Sequence, residues 1–502
     1  MKGKTGSDWL PVIILLFGFG MLVWELGKRS LWCDEIFTAE VAAYSPGQIV
    51  NVVAADVHPP FYFLLMGLWT RLFGLGEFSL RLPSVFSAAL GLCLTWQLGK
   101  QMASRQVARV GMGFMAFSPL FIEFSRMARY YSLVLMLSVL ATSLFIAAWQ
   151  REKWWKWLAY GLVGMLGLYT FYLSFAVILG HGLALVLSRG TVRQLRKWIV
   201  SAAVPIVVFI PFLTILTGQM GNAAQRHADF SRSVVGAVLA VIYSAYSFSV
   251  GETIFPWVLF AAPAVLTVLG TMVWGACKLS GQWRTLFVVL IALPFSLIVL
   301  TIMLISTGTP FLNVPVRGLF ILPYLAILFA FGFASLPRAS WRIGAAALIG
   351  MAWGLSLFNY YNAQQFMNPI YIIPARQVAE QIAAEADAED VVIGEQDSGF
   401  SYYFKPLQSD TPYFEALQRD MILDYLSHHA VKRIWLVTIG RDGTRDMLPT
   451  ALMDWLRENY SLVTERGYAE QDPTYRQLKE WLLHRPAYRY KLLVQVYEPK
   501  AP

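Results

Sequence analysis

Long apolar stretches separated by short basic turns dominate the first 360 positions, and a different pattern takes over after about residue 370. A spanning helix needs about 20 apolar residues to cross a hydrocarbon core of about 30 Å. Runs at 10–27, 82–99, 108–122, 130–149, 155–172, 173–187, 198–217, 255–277, 285–306, 316–336 and 341–358 approach or exceed that length, which predicts eleven spans. Two further apolar runs, 60–73 and 234–250, would each reverse everything that follows if they crossed. The first reaches only about 21 Å at a helical rise of about 1.5 Å per residue. It ends in Trp69 and Arg71, which suits a helix lying in the interface. Charge settles the orientation. With both runs outside, Lys100/Arg105/Arg109, Arg151/Lys153/Lys156, Arg189/Arg193/Arg196/Lys197, Lys278/Arg284 and Arg338/Arg342 all share the side of Lys2 and Lys4. That is the positive-inside rule, and either run taken alone as a span would break it.

The pattern after Pro374 is shorter in period. An amphipathic helix from Ala375 to about Ala388 precedes the β-branched run Val391-Val392-Ile393-Gly394. A helix near 412–428, a strand Arg433–Val437, a helix 446–459 and a strand 491–497 follow. Helices alternating with short apolar strands predict a small α/β domain with a partly parallel sheet. The expected organisation is therefore an α-helical multi-pass membrane domain over 1–365, with 28–81 as its first outer loop, and an α/β domain over 370–502. Eleven spans put that second domain outside. It holds no Gly-rich phosphate loop and no nucleophile elbow, so it reads as a recognition or structural module.

Composition agrees. The chain is 57% hydrophobic and 14% charged, where a soluble globular chain carries roughly 25% charged residues. Residues 1–374 carry 25 Lys/Arg against 11 Asp/Glu, and residues 375–502 carry 15 against 20, so the basic excess belongs to membrane loops. No basic stripe interleaved with aromatics points to nucleic acid. Cys33, Cys93 and Cys277 are too few and too scattered for a disulfide framework or a zinc site. Lys2 and Lys4 before the run 10–27, with no small-residue cleavage site after it, read as an uncleaved first span.

Charge also locates the chemistry. Five of the eleven acids before residue 375 (Asp34, Glu35, Glu40, Asp56, Glu77) lie in the first outer loop, beside Trp32, His58 and Pro59-Pro60. Acids are expensive near hydrocarbon, so a cluster there marks a functional site. The same topology puts Arg81, Glu123, Arg126, Arg129, Tyr169, Tyr172 and Arg317 on the outer face. Asp34-Glu35 could serve as a general base, a metal ligand or a transporter's proton site. Adjacent residues on a helix start point apart, so one of the pair faces substrate. Arg81, Arg129 and Arg317 are the natural complement, because guanidinium forks bind phosphate bidentately. Base and guanidiniums together fit group transfer from a lipid-linked phosphate donor. Any one of Arg126, Arg129 and Arg317 also reads as an interfacial anchor, Arg126 above all, and His58 reads as a ligand or a capping group.

The order of these residues carries a resemblance. Trp32/Asp34/Glu35, His58/Pro59/Pro60/Tyr62, Leu72/Phe73/Gly74/Glu77/Arg81/Pro83/Ser84 and Ser118/Pro119/Ser125/Arg129/Tyr131/Ser132/Leu133 stand at the spacings of four motifs. In that order the chain resembles the bacterial polyprenyl-phosphate-sugar glycosyltransferases. These are GT-C integral-membrane enzymes related to protein O-mannosyltransferases and aminoarabinose transferases. The match is dense over residues 30–135 and is echoed at Tyr169–Tyr172 and at Arg317 through Leu322-Pro323.

The resemblance implies an inverting hexosyl- or pentosyltransferase with Asp34 as base for the acceptor nucleophile and Glu35 as its partner. It implies a polyprenyl-phosphate sugar donor, a lipid, glycan or protein acceptor, and a site at the extracytoplasmic side of a bacterial inner membrane. Arg81 is carried over as phosphate-binding or site-organising, with Arg129 and Arg317 beside it. Trp32, Asp56, His58, Tyr62, Glu123, Tyr131 and Tyr172 become the expected lining. Relatives often have Gln-Glu where this chain has Arg126-Met127, which removes a second acid and weakens a divalent-metal site. Some relatives bind such an ion and others do not. A transporter of lipid-linked or sugar substrates is the alternative; it should show internal repeats, broken helices and charges at mid-membrane depth, and no repeat of the 30–135 pattern is present. A membrane-anchored assembly factor is a third reading.

Overall fold

A computed structural model describes residues 9–56, 58–151, 153–225, 234–305, 310–407, 410–442, 450–484 and 486–500. Lys2, Lys4 and the first four positions of the expected helix 446–459 lie outside that set. The chain divides into two compact units, Met1–Leu26 with Thr38–Asn362 and Gly27–Phe37 with Ala363–Pro502.

The first unit is helical. Its elements run α1 (Leu10–Val23), α2 (Cys33–Ala42), α3 (Pro46–Ala55), α4 (Phe61–Phe73), α5 (Glu77–Met102), α6 (Arg105–Phe117), α7 (Pro119–Ser125) and α8 (Tyr131–Arg151). They continue through α9 (Trp154–Thr170), α10 (Phe175–Leu187), α11 (Val192–Gln225), α12 (Val234–Val250), α13 (Ala261–Lys278), α14 (Gly281–Ile305), α15 (Val314–Arg317), α16 (Leu322–Ala334) and α17 (Ala339–Tyr361). The boundary between the units falls inside α2.

Outward-facing Leu16, Phe17, Leu162, Val207 and Leu266 are exposed, an apolar surface suited to lipid rather than water. The interior, by contrast, holds hydrogen-bonded polar groups. His181 Nδ1 pairs with Tyr160 Oη at 3.1 Å and its Nε2 with Thr142 Oγ1 at 3.1 Å. Thr142 also meets Tyr324 Oη at 2.7 Å, which joins α8, α9, α10 and α16 in one network. In an apolar bundle such bonds contribute about 0.6 kcal/mol each. Helices α13 and α16 cross at Gly275 and Gly332, where a Cβ on either residue would strike the backbone of the facing helix.

Length and composition qualify fewer spans than the eleven expected. Among the described residues five helices are long and apolar enough to cross a membrane, α5, α8, α13, α14 and α17. A sixth is the pair α6 and α7, bent by 59°. The expected run 108–122 is thus broken at Ser118-Pro119. Pro119 has no N–H to continue the ladder, and Ser118 restarts a helix by accepting the Phe121 N–H through Oγ. The expected run 316–336 is likewise divided among short turns and α16. Run 60–73 is the 13-residue α4. Helix α5 starts at Glu77, so Glu77 and Arg81 belong to its first turns rather than to a loop.

The second unit contains a sheet in the order β2-β1-β3-β5-β4. Its elements are α18 (Ala375–Glu385), β1 (Val391–Gly394), α19 (Phe400–Leu407), β2 (Tyr413–Glu415), α20 (Arg419–His428), β3 (Ile434–Ile439), α21 (Thr450–Asn459), β4 (Tyr460–Glu470), α22 (Pro473–Leu483) and β5 (Tyr490–Pro499). Strand β1 pairs in parallel with β2 and β3, and β5 pairs antiparallel with β3 and β4. Every residue of β1 and β3 is buried, as strands covered on both faces require. Val392, Trp435 and Val437 pack with Val378, Ile382 and Phe404 of α18 and α19. Val391, Ile434 and Leu436 pack with Ile422, Leu426, Leu452 and Leu456 of α20 and α21. The expected helix 412–428 begins only at Arg419, because 413–415 add a strand to β1.

Candidate active site

Within the helical unit the expected residues converge on Arg129. It lies in the turn between α7 and α8, is only 2% exposed, and is held by parts of three other elements. Its Nη2 donates to His58 Nε2 at 3.0 Å, its Nη1 to Thr38 Oγ1 at 3.4 Å, and its carbonyl accepts from Ser84 Oγ at 3.0 Å. A guanidinium can only donate. His58 Nε2 must therefore accept, which leaves its proton on Nδ1 and the ring neutral. Burial, and then the charges of Arg129 and Arg317, hold His58 well below the usual imidazole range. The 3.6 Å approach of Asp56 Oδ2 to the same nitrogen is accordingly not an ion pair at neutral pH. One guanidinium thus bonds to the uncharged ring, and the charge of a second acts on it.

Aromatic rings close this cluster. Tyr130 lies 5.7 Å from His58, 6.3 Å from Tyr62 and 4.9 Å from Tyr131, and stacks on Phe171 at 5.2 Å. Tyr62 is buried on the first turn of α4, which Pro60 precedes. Tyr172 packs instead on Phe209, at 5.6 Å. Glu123 is buried on α7, and Arg317 ends the short α15, bonding back to Asn313 O at 3.4 Å.

The other two arginines grip the chain where it leaves α1. Arg81 Nη1 donates to Leu26 O at 2.8 Å and Arg126 Nη2 to Trp24 O at 2.5 Å. Arg126 also lies over Tyr360 and Tyr361 of α17. Both are buried, and each ties the backbone that follows α1 into the bundle.

Asp34, Glu35 and Trp32 belong to the second unit. The Glu35 and Ile36 N–H groups both donate to Trp32 O, and Glu35 Oε2 accepts the Trp32 N–H at 3.4 Å. The Glu35 side chain thus supplies one half of a capping box, satisfying the N–H that precedes the helix. Glu35, 1% exposed, therefore closes its own turn, while Asp34 projects from a different side of the helix start. The Trp32 ring meets the edge of Tyr371 at 5.0 Å, and its indole N–H is buried without an acceptor among the described residues.

Among the described residues no three His, Cys, Asp or Glu side chains are placed to hold a metal ion. Sequence reasoning gave no role to Thr38, Tyr130 or Glu252. Glu252 is buried in the turn after α12, where burial pushes its carboxyl up to about 8 against the Tyr243 and Ser247 hydroxyls. The next residue straps that turn to α17, with Thr253 Oγ1 donating to Ser356 O at 2.6 Å and Asn359 Nδ2 to Thr253 O at 2.7 Å. An isolated acid in an otherwise apolar stretch was the signal that could have found it.

Residues 57–215 match the family model of dolichyl-phosphate-mannose-protein mannosyltransferases. A comparison with curated protein sequences finds no match. The fold is similar to ArnT from Cupriavidus metallidurans in the apo state, with TM-score 0.55 and 14% identity over 96% of this chain and 97% of that one. It is as similar to the same protein bound to undecaprenyl phosphate, with TM-score 0.55 and 13% identity over 98% of both chains. The archaeal oligosaccharyltransferase AglB from Archaeoglobus fulgidus, in complex with an inhibitory peptide and a dolichol-phosphate, gives TM-score 0.52 and 11% identity over 97% of this chain and 88% of that one.

Proposed function

We propose that this integral membrane chain, whose fold is that of the GT-C glycosyltransferases, moves a sugar from a polyprenyl-phosphate donor to an extracytoplasmic acceptor with inversion. The topology that goes with this reading has eleven spans, the site and the α/β unit outside, and a bacterial inner membrane around it. Asp34 removes the proton from the acceptor nucleophile as that atom attacks the anomeric carbon. The bond to the lipid phosphate breaks on the opposite face, and the leaving phosphate keeps the electron pair. Arg129 and Arg317 stabilise that developing charge, which is where fixed cations act most strongly in catalysis. Neutral His58 holds the Arg129 fork in place without competing for the phosphate. The Arg129 guanidinium bonded to one half-buried, uncharged imidazole, with the Arg317 charge acting on the same ring, carries this reading. The GT-C fold favours transfer over transport.

The acceptor can be a lipid, a glycan or a protein; comparing envelope glycans by mass spectrometry with and without the chain would identify it. A base contributes about 10²–10⁴-fold, so Asp34→Asn should lower transfer from a polyprenyl-phosphate sugar about 10³-fold without changing the melting temperature. Transfer within a factor of about two of the parent would end the assignment of Asp34.

A further inference from the structure

The segment carrying Asp34 is ten residues or so of chain with one helical turn of its own, yet a catalytic base must hold position to a fraction of an ångström. Its supports come from the far end of the sequence, in the same unit. The Leu31 N–H donates to Tyr403 Oη at 2.8 Å, across 372 positions. Ser30 Oγ donates to Gln377 Oε1 at 3.1 Å and accepts the Arg376 N–H at 3.1 Å. The Arg376 guanidinium donates to Lys28 O at 3.0 Å. Beyond Asp34, Ile36 packs directly on Gly399, where a Cβ would come within 2.6 Å of Ile36 Cδ1. Gly399 has φ +71°, and its backbone admits the isoleucine because it has no side chain. Asp34 is therefore bracketed: a hydrogen bond fixes the backbone three residues before it, and packing fixes the side chain two residues after it.

We propose that Tyr403, Gln377 and Gly399 are positioning residues for Asp34, so that the α/β unit acts in sugar transfer by holding the segment that bears the base. This rests on the reading of Asp34 given above. None of the three is required to touch substrate.

Cys33, next to Asp34, is a native reporter of the segment's position. In full-length protein purified in detergent, with Cys93→Ser and Cys277→Ser, it is the remaining thiol. Its alkylation by N-ethylmaleimide and the kinetics of transfer are measured together. Tyr403→Phe and Gln377→Leu should each speed alkylation severalfold and lower kcat about tenfold, with the donor KM within about twofold, as a small displacement of a catalytic group does. Gly399→Ala should exceed both. Gln377→Glu keeps an acceptor oxygen for Ser30 and should restore both readings toward the parent.

A parental kcat in both Tyr403→Phe and Gln377→Leu, whatever alkylation does, overturns the proposal. So does a loss of kcat that Gln377→Glu shares with Gln377→Leu. Full activity in Asp34→Asn would instead remove the base assignment, a separate failure read in a separate variant.

Discussion

The two groups of residues assigned to the chemistry are built in opposite ways. Arg129 is held by Thr38, His58 and Ser84, all within 91 positions of it. Asp34 sits on a segment whose supports, Gln377 and Tyr403, stand 347 and 372 positions from the residues they hold. The first arrangement is a product of helices that follow one another, and it keeps its motif spacing because each helix fixes the next. The second depends on a domain folded after all of them. Cation and base therefore answer to different parts of the chain, and damage to one should leave the other measurable.

Three variants test that contrast. Arg129→Lys keeps the charge but loses the fork that reaches His58 and Thr38 together. A hydrogen bond to a charged group contributes roughly 2 kcal/mol, so the donor KM should rise about 30-fold, while Cys33 alkylation stays at the parental rate. A change in alkylation would merge the two regions into one.

Asp390→Asn tests the sheet alone. The buried Asp390 carboxylate accepts from Arg433 at 2.7 and 3.1 Å and from Trp435 Nε1 at 3.2 Å. Weakening it should cost about 2 kcal/mol of stability, read by thermal unfolding, and leave kcat unchanged well below the melting temperature. If kcat fell with it, the support of Asp34 would be a property of the whole domain rather than of Tyr403, Gln377 and Gly399.

Glu252→Gln should have the smallest effect, and it depends on pH. The Glu252 carboxyl is raised in the folded protein to about 8, so its protonated form is the one the fold favours. Stability from this group is full below the ordinary carboxylate range and is lost as pH rises toward 8. The glutamine variant should therefore unfold at a temperature less sensitive to pH between 4.5 and 8 than the parent. An identical pH slope in both proteins would remove the assignment.

Much of the membrane unit was legible because its signals are local. His58-Pro59-Pro60 opens a short helix, and the spacing from Ser118 to Tyr131 sets Arg129 beside its ring partners. Helix length and composition qualify five or six of the eleven expected spans among the described residues, because apolar composition does not register where a run is divided into shorter helices, as 316–336 is. His181 was passed over for a related reason: one polar residue in an apolar run looks like noise until Tyr160, Thr142 and Tyr324 surround it. In the second unit the buried strands β1 and β3 announced themselves, whereas β4, with a single buried residue, did not. The partners of the Asp34 segment were invisible for the plainest reason. Nothing in Tyr403 or Gln377 says which distant backbone it will meet.

The crossing of Gly275 and Gly332 constrains how this chain can vary over time. Any missense codon change at either position adds at least a methyl group that meets the opposite backbone. A single step cannot relieve this, since the partner is already as small as a residue can be. Divergence at that contact is closed to gradual drift, and the separation of α13 and α16 passes between generations as one inherited distance. The short stretch ending in Arg317 leads through the turn Leu319–Ile321 into α16, so the placement of that guanidinium is tied to the same helix.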